Sequence, residues 1–245
     1  MWPFSHRQSL ADLDALRGMA DRHSHILPEV DDGMRTIADS LEALHAYERM
    51  GVADLWLTPH IMEDYPNTTA DLRARFNELC EAYHAEAGEQ PVRLHLAAEY
   101  MLDTLFARRL AAADLLTLDT DRHLLVETSY FNPPVDLDSM LSDIASAGYR
   151  PVLAHPERYM YMASADYDRL HNAGVRFQLN IVSAAGAYGP EVAKRASMLL
   201  RRGYYHMAGT DIHSLRSTQA CLNRPIKAST AKAVHQLINQ QKHHK

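Results

Sequence analysis

The segment Leu55-Trp56-Leu57-Thr58-Pro59-His60 is a short apolar run, long enough for one buried strand, that ends in a histidine. The arrangement recurs along the chain, with Glu127 ending one run and His155 directly following another. Strand-length runs occupy residues 52–57, 92–97, 123–128, 150–154, 175–179 and 204–208, and we expect a seventh strand within residues 18–25. The sequence therefore predicts strands whose carboxyl ends carry reactive side chains.

Helical patterns fill the gaps between these runs. The clearest places Leu72, Leu79 and Tyr83 on one face of a 3.6-residue period, and Thr68 with Asp71 predicts its N-terminal cap. Further helices are predicted at residues 37–44 after Thr36 with Asp39, at 135–147, and at 190–200 with Pro190 near the first position. This alternation predicts an α/β fold of parallel strands with outer helices, either wound open or closed into a barrel.

Length and composition predict one ordinary globular unit. The 245 residues are 47% hydrophobic and 23% charged, and α/β barrels of this length commonly form a single domain. We expect one domain over residues 1–245, with an N-terminal flank at 1–17 and a polar tail at 236–245.

Charge, lysine and cysteine usage exclude several classes of protein. The formal charge of −6 argues against a nucleic-acid partner. The first lysine is Lys194, which excludes a P-loop or a Schiff-base lysine on the earlier strands. With two cysteines, no signal-peptide pattern and no apolar run of membrane-spanning length, we expect a cytoplasmic protein without membrane insertion.

Acids and histidines stand directly after the strand runs, where βα loops begin. The carboxyl ends of parallel strands meet at one face, so we expect these residues to converge there although they are distant in sequence. Residues two apart on a strand share a side, so some segments offer two ligands to one cavity. The set comprises His23, His25, His60, Glu99, Glu127, His155, Asp211 and His213.

Imidazoles and carboxylates without a thiolate suit divalent Mn, Fe, Zn or Mg. A lone histidine at a strand end is more often a structural hydrogen-bonding residue, but the joint pattern favours a metal site. With roughly three protein ligands per open catalytic ion, we expect two or three divalent ions.

Seven short motifs are spread along the chain, and the resemblance that they carry extends from about residue 18 to about residue 240. They are Asp21-Arg22-His23-Ser24-His25, Val30-Asp31-Asp32-Gly33, Thr58-Pro59-His60, Ala98-Glu99-Tyr100, Val126-Glu127, Ala154-His155-Pro156-Glu157-Arg158-Tyr159 and Thr210-Asp211-Ile212-His213. Together they resemble the polymerase-and-histidinol-phosphatase (PHP) superfamily. Within it, the chain is most similar to the bacterial PHP-type protein tyrosine phosphatases of capsule and exopolysaccharide systems.

The resemblance implies a distorted (βα)7 TIM-like barrel with a trinuclear metal centre. The implied ligands are His23, His25, Glu99 and Asp211 for one ion, Glu99, Glu127 and His155 for a second, and Asp32, His60 and His213 for a third. The residues that it implies for catalysis are Arg158 and Arg216, as phosphate contacts, together with Asp32 and His60. Two departures are that Arg22 replaces a usually apolar residue, and that Arg216 lies closer to the final Asp-x-His than the second arginine of the family.

The resemblance further implies a metal-dependent phosphoric monoester hydrolase that removes phosphate from phosphotyrosine by a metal-activated water. The implied partner is a phosphotyrosine-containing protein, the tail of a bacterial tyrosine kinase or chain-length regulator of polysaccharide export. A cysteine nucleophile is excluded, because neither Cys80 nor Cys221 has an arginine six positions later. Two alternatives stay open: a small-molecule phosphomonoesterase similar to histidinol phosphatases, and a non-enzymatic, metal-dependent module that binds phosphopeptides.

Overall fold

The computed structural model describes residues 7–89 and 91–241, where strands and helices alternate along the chain. The strands are β1 (Arg7–Gln8), β2 (Ala20–Asp21), β3 (Asp54–Leu57), β4 (His60–Ile61), β5 (Arg93–Leu96), β6 (Glu99–Met101), β7 (His123–Glu127), β8 (Arg150–Ala154), β9 (Arg176–Asn180), β10 (Tyr205–Gly209) and β11 (Ile226–Lys227). The helices are α1 (Ile37–Arg49), α2 (Thr69–Glu86), α3 (Thr104–Ala112), α4 (Leu137–Ser146), α5 (Ser164–Asn172), α6 (Ile181–Ala184), α7 (Pro190–Arg202), α8 (Leu215–Leu222) and α9 (Ala228–Gln241), and a 3₁₀ turn spans Pro156–Arg158.

Parallel strands form a ring. In the described ranges, β3 pairs with β2 and β5, β4 pairs with β6, and the order continues through β7, β8, β9 and β10. The ring closes because the Asp211 amide donates to the His23 carbonyl (2.8 Å) and the His25 amide donates to the Ile212 carbonyl (3.0 Å). The predicted α/β fold of parallel strands in a seven-stranded, barrel-like arrangement is confirmed.

Two of the seven positions are interrupted strands. β3 and β4 flank Thr58-Pro59, and β5 and β6 flank Ala97-Ala98. Pro59 has no amide hydrogen to donate to the ladder, although its carbonyl still accepts from the Glu99 amide (3.1 Å). The residues that begin β4 and β6 therefore belong to short segments set apart from the main body of their strands.

Apolar side chains lie on both sides of the barrel wall. One buried cluster takes residues from most of the strands and fills the interior: Ala20, Trp56, Ala97, Leu118, Leu125, Val152, Ala154 and Met207. A larger cluster joins the outer strand faces to the helices, as where Leu55 and Leu124 share it with Leu44 and Leu79. Period-two alternation along each strand produces this division between an inner and an outer face.

The predicted helix starts are confirmed. The Thr36 hydroxyl accepts from the Asp39 amide (3.1 Å) at the start of α1, and the Thr68 hydroxyl accepts from the Asp71 amide (3.1 Å) at the start of α2. Pro190 is the first residue of α7, where its missing amide hydrogen costs nothing. Across the described ranges, no helix combines the length and apolar character that spanning a bilayer requires.

The prediction of a polar tail from residue 236 is wrong for residues 236–241. These residues continue α9, and Ile238 is fully buried. The reason is that Ala231, Val234 and Ile238 continue one apolar face at helical spacing, which the polar residues between them obscure. The remaining four residues of that predicted tail lie outside the described ranges. In the N-terminal flank, Leu10 is buried and β1 pairs antiparallel with β11.

Candidate active site

The residues expected to bind metal converge at the carboxyl end of the barrel strands. His60 and Glu99 begin β4 and β6, Glu127 ends β7, and His155 directly follows β8. The remaining members, in the loops after β2 and β10, are His23, His25, Asp32, Asp211 and His213. All nine belong to four overlapping groups, in each of which the candidate ligand atoms lie within 4.8 Å of one another.

One group has the spacing of a single coordination sphere. The Nε2 atoms of His23 and His25 lie 3.1 Å apart. Asp211 Oδ1 lies 3.4 and 3.3 Å from these two nitrogens, and Glu99 Oε2 lies 3.2 and 3.4 Å from them. Tetrahedral coordination with bonds of about 2.1 Å separates neighbouring ligand atoms by about 3.4 Å. His23, His25 and Asp211 therefore suit one divalent ion, and Glu99 Oε2 lies beside the two histidine nitrogens.

Glu99 turns its two oxygens toward different neighbours. While Oε2 faces the pair of histidines, Oε1 lies 2.9 Å from Nε2 of His155. Glu127 Oε2 lies 3.9 Å from the same nitrogen. Glu99 would therefore offer one oxygen to each of two neighbouring groups of candidate ligands.

His60 faces two of the expected ion sites, whereas the resemblance assigned it to one. Its Nδ1 lies 3.1 Å from Glu99 Oε2 and 3.0 Å from Glu127 Oε1. Its Nε2 lies 3.6 Å from Asp32 Oδ1, and His213 Nε2 lies 3.4 Å from the same oxygen. The side chains of Asp32 and His213 are 54% and 31% exposed, so they form the open side of the cluster.

Asp31 supports this cluster from behind, a role that the sequence analysis missed. Its buried Oδ2 lies 2.8 Å from His25 Nδ1 and accepts from the His60 amide (3.0 Å), while Oδ1 accepts from the Gly33 amide (2.9 Å). Any side chain at Gly33 would collide with the His25 carbonyl. A carboxylate on the outer nitrogen fixes the tautomer and orientation of a ligand histidine. The sequence signal was the Asp31-Asp32 pair, in which only the second residue was selected.

Two amides from β9 also orient ligands. Gln178 Oε1 lies 3.0 Å from His23 Nδ1 and accepts from the His155 amide (3.3 Å). Asn180 Nδ2 donates to Asp211 Oδ2 (2.7 Å). Asn180 directly follows the predicted strand at residues 175–179, but Gln178 gave no signal because a neutral amide inside an apolar run has no distinctive spacing.

Opposite charges dominate the electrostatics of the cluster. Burial lowers the pKa of His23, but the carboxylates of Glu99 and Asp211 outweigh burial and raise this pKa to about 9. Burial raises the pKa of both carboxyl groups, but the neighbouring imidazoles, His23 foremost, hold each pKa well below its usual range. The pKa of His155 is lowered by burial and by Arg158. The cavity therefore holds ionised carboxylates, as a cation site requires.

Several ligand atoms in the cluster are buried without a hydrogen bond. They are His60 Nδ1, Glu99 Oε2 and Glu127 Oε1. A buried polar atom left without a partner costs about 1–3 kcal/mol, and more when it is charged. The short distances from His60 Nδ1 to the two carboxylate oxygens lack hydrogen-bond geometry but are compatible with a shared cation. The donor set and its unpartnered atoms therefore fit divalent metal ions.

Two of the nine clustered residues have left-handed backbone. His155 has φ 32° and Asp211 has φ 53°. Such conformations cost about 1–3 kcal/mol at a non-glycine residue and persist only where the surroundings hold them. Each lies at the abrupt end of a strand, and the turn directs its side chain into the cluster.

Of the two arginines expected to contact phosphate, the structure brings one to the cluster. Arg158, at the end of the 3₁₀ turn after β8, donates from Nη1 to Asp211 Oδ2 (2.8 Å). Arg216 lies exposed on α8, and within the described ranges we find no hydrogen bond or ion pair between it and the nine side chains.

Comparison with known proteins adds an independent line of observation. The family described as capsular polysaccharide synthesis, CpsB/CapC, matches residues 19–242. Tyrosine-protein phosphatase YwqE of Bacillus subtilis is 28% identical over 202 residues, covering 81% of this chain and 79% of that protein. Tyrosine-protein phosphatase CpsB of Streptococcus pneumoniae is 29% identical over 207 residues, covering 81% and 84%. The putative tyrosine-protein phosphatase CapC of Staphylococcus aureus is 25% identical over 222 residues, covering 89% and 86%.

A solved structure shares the same architecture. It comes from crystallographic work on YwqE from Bacillus subtilis and CpsB from Streptococcus pneumoniae, described as unique metal-dependent tyrosine phosphatases. The superposition has a TM-score of 0.78 at 25% sequence identity and covers 91% of this chain and 92% of the other.

Proposed function

Because the chain belongs to the CpsB/CapC family of capsular polysaccharide synthesis, we propose that it is a metal-dependent protein tyrosine phosphatase that hydrolyses phosphotyrosine monoesters. The membership agrees with the resemblance predicted from the seven motifs. One observation carries the proposal: nine histidine and carboxylate side chains converge on one face, with buried unpartnered ligand atoms, beside an arginine. The names of the relatives support it.

We propose that the nine side chains hold two or three divalent ions of Mn, Fe, Zn or Mg. One set is His23, His25, Glu99 and Asp211, a second is Glu99, Glu127 and His155, and a third is Asp32, His60 and His213. The ligand spacing in the first set and the two-sided contacts of Glu99 support this division. The contacts of His60 with both other sets support a single continuous cluster.

In such a site, divalent ions supply Lewis-acid stabilisation of phosphate oxygens and activate a water for attack on phosphorus. The chain's own residues bind and orient the ester. Arg158 carries a planar set of donors suited to phosphate, and only one of its N–H groups is occupied by Asp211. The exposure of Asp32 and His213 supports substrate entry from their side of the cluster. Arg216 stays a candidate for a second phosphate contact, on the resemblance alone.

We propose that the substrate is the tyrosine-containing tail of a tyrosine kinase or chain-length regulator of polysaccharide export. The description of the family as capsular polysaccharide synthesis supports this class of partner. A cytoplasmic location stays a prediction from the sequence. Both cysteines are free of disulfide bonds.

The proposal is tested with protein purified without chelator, whose metal content is measured by elemental analysis. We expect turnover of p-nitrophenyl phosphate and of a phosphotyrosine peptide, which EDTA abolishes and divalent metal restores. His155→Ala should remove the activity, whereas the matched control His84→Ala, on the exposed face of α2, should retain it. Activity that survives both EDTA and His155→Ala would contradict the mechanism.

The same assay separates the two alternatives. A small-molecule phosphatase would prefer free phosphorylated metabolites to the phosphotyrosine peptide. A binding module would bind the peptide tightly at full metal content and release no phosphate.

A further inference from the structure

Two tyrosines flank the guanidinium of Arg158. Its Cζ lies 4.2 Å from the ring centre of Tyr130 and 4.1 Å from that of Tyr188. Both distances lie well within the range of cation–π contacts. The guanidinium is therefore contacted by two aromatic rings and, through Nη1, by the carboxylate of Asp211.

Tyr130 is the fixed member of the pair. Its hydroxyl donates to Glu127 Oε2 (3.3 Å), which ties it to a proposed metal ligand. Its ring stacks on Tyr159, with centroids 5.9 Å apart and planes inclined by 22°. Tyr159 is fully buried, and its hydroxyl accepts from the Thr128 amide (3.2 Å). The position of Tyr130 is therefore set by the wall of the barrel.

Tyr188 is the exposed member of the pair. It lies in the loop between α6 and α7 and is 41% exposed, although it is a large aromatic residue. Gly186 and Gly189 flank it with φ of 79° and 93°, conformations that favour glycine. The loop thus carries the ring out from the barrel and back over Arg158.

The two rings restrict how Arg158 can bind a ligand. The N–H groups of a guanidinium lie in its plane, and phosphate pairs with them edge-on. A guanidinium stacked between aromatic rings keeps its edge as the side accessible to an anion. The rings also exclude water from the charge, which strengthens its attraction for an anion.

We propose that Tyr130 and Tyr188 are positioning residues, which fix the plane of Arg158 so that its free edge meets a phosphate held at the metal-ligand cluster. The inference rests on the proposed phosphatase function, because it assumes that phosphate binds beside Arg158. It concerns residues outside the nine-ligand set.

The test measures the affinity of metal-loaded protein for inorganic phosphate by titration calorimetry, alongside kcat and KM for p-nitrophenyl phosphate. Tyr188→Leu should weaken phosphate binding by about fivefold, since the variant loses a partly exposed cation–π contact worth about 1 kcal/mol. Tyr188→Phe retains the ring and should stay within about twofold of the wild type. Tyr204→Leu is the matched control, because Tyr204 also lies beside an arginine, Arg202, at 5.7 Å, and it should leave phosphate affinity unchanged.

A double-mutant cycle distinguishes positioning from a general structural effect. In an Arg158→Lys background, Tyr188→Leu should change phosphate affinity by less than about twofold, because the tyrosine acts through the arginine. Unchanged affinity in Tyr188→Leu, or an effect of full size in the Arg158→Lys background, would overturn the inference. Thermal unfolding and metal content of each variant identify any loss of fold.

Calorimetry also separates this inference from the proposed function. If the wild type binds phosphate but hydrolyses no ester, the phosphatase proposal fails while the tyrosine pair is still tested by the affinities. If the wild type hydrolyses the ester and Tyr188→Leu behaves like the wild type, the function stands and the positioning role fails.

Discussion

At the amino end of the barrel strands, the carboxylate of Asp54 accepts from Arg93 Nε (2.7 Å) and lies 3.0 Å from His95 Nε2. At the carboxyl end, Glu99 Oε2 is surrounded by imidazoles but has no hydrogen bond. Both ends combine acids with histidines. The two ends differ in whether other groups of the protein supply hydrogen-bond and ion-pair partners for these side chains.

Arg22 shows how neighbouring groups of the protein stabilise a charge at the amino end. Its guanidinium lies 3.8 Å from the ring centre of Trp56, and the imidazole of His95 stacks on the same indole at 4.1 Å. Burial lowers the pKa of Arg22, while Asp119 and Asp54 favour its charged form. A charge at a usually apolar position is thereby accommodated by an aromatic face and nearby carboxylates.

His123 is an instructive exception at the amino end. Its Nδ1 lies 2.7 Å from Asp119 Oδ2, but its buried Nε2 has no partner. In the described part of the chain, no group of three or more candidate ligands includes it. The comparison teaches that an unpartnered atom indicates a metal site only when other unpartnered ligand atoms converge on the same point.

Metal removal should have the largest effect on stability and activity. This effect should arise only from the cluster at the carboxyl end of the strands. An ion present at about 1,000 times its dissociation constant stabilises the folded state by about 4 kcal/mol. For a chain of this size, we expect EDTA to lower the unfolding temperature by about 10 °C and to abolish phosphatase activity. Calorimetric scans before and after metal removal measure this, with elemental analysis as the control. An unchanged unfolding temperature after verified metal loss would mean that the carboxyl end is satisfied without ions.

Glu99→Gln should come next, because it removes the carboxylate that faces two proposed ions. Mutation of a residue that hydrogen-bonds to a metal ligand typically lowers metal affinity or activity by about 10- to 100-fold. Glu99 is itself a proposed ligand, so we expect kcat/KM to fall by more than about 100-fold. Steady-state kinetics at saturating metal provide the measurement, and circular dichroism checks the fold. Activity retained within a factor of a few would argue against a bridging role.

Arg22→Met tests the amino end. The variant loses the contact with Trp56 and the favourable charge near Asp119, so we expect the free energy of unfolding to fall by about 1–2 kcal/mol. Urea denaturation measures it. Within the described ranges, the Arg22 side chain has no hydrogen bond or ion pair with the proposed ligands, so kcat/KM should stay within about twofold. A large loss of activity without loss of stability would show that the two ends are coupled.

Asp54→Asn should have the smallest effect and a defined pH dependence. Burial raises the pKa of Asp54, but Arg93 and His95 outweigh burial and lower it below its usual value. The stabilisation is therefore present above the unfolded-state pKa and is lost as pH falls through the folded-state pKa. We expect the variant to be less stable than the wild type by up to about 1 kcal/mol at pH 7 and equally stable in acid. A stability difference that grows as pH falls would contradict this assignment.

Residues at strand ends were predictable because the topology of parallel strands converts sequence position into spatial position. For this reason His60, Glu99 and His155 could be selected from spacing, and family motifs added Asp32. Asp31 could not be separated from Asp32, because adjacent aspartates differ only in the direction that the loop gives them. The contact of Gln178 with His23 spans 155 positions, and nothing local indicates it.

Helix ends show a similar division. The caps at Thr36 and Thr68 depend on residues three apart and were predicted, whereas the burial of Ile238 depends on the distant surface that α9 covers. A cap formed by residues close in sequence can be predicted from the sequence, but burial of a terminal segment cannot.

The left-handed backbone at His155 and Asp211 limits the substitutions open to anyone who redesigns this centre for another metal. Aspartate, asparagine and histidine tolerate that region of conformational space better than other residues with side chains. Substitution at these two positions is therefore confined to a few short polar residues. Longer or branched donors would require a change in backbone conformation before they could reach an ion.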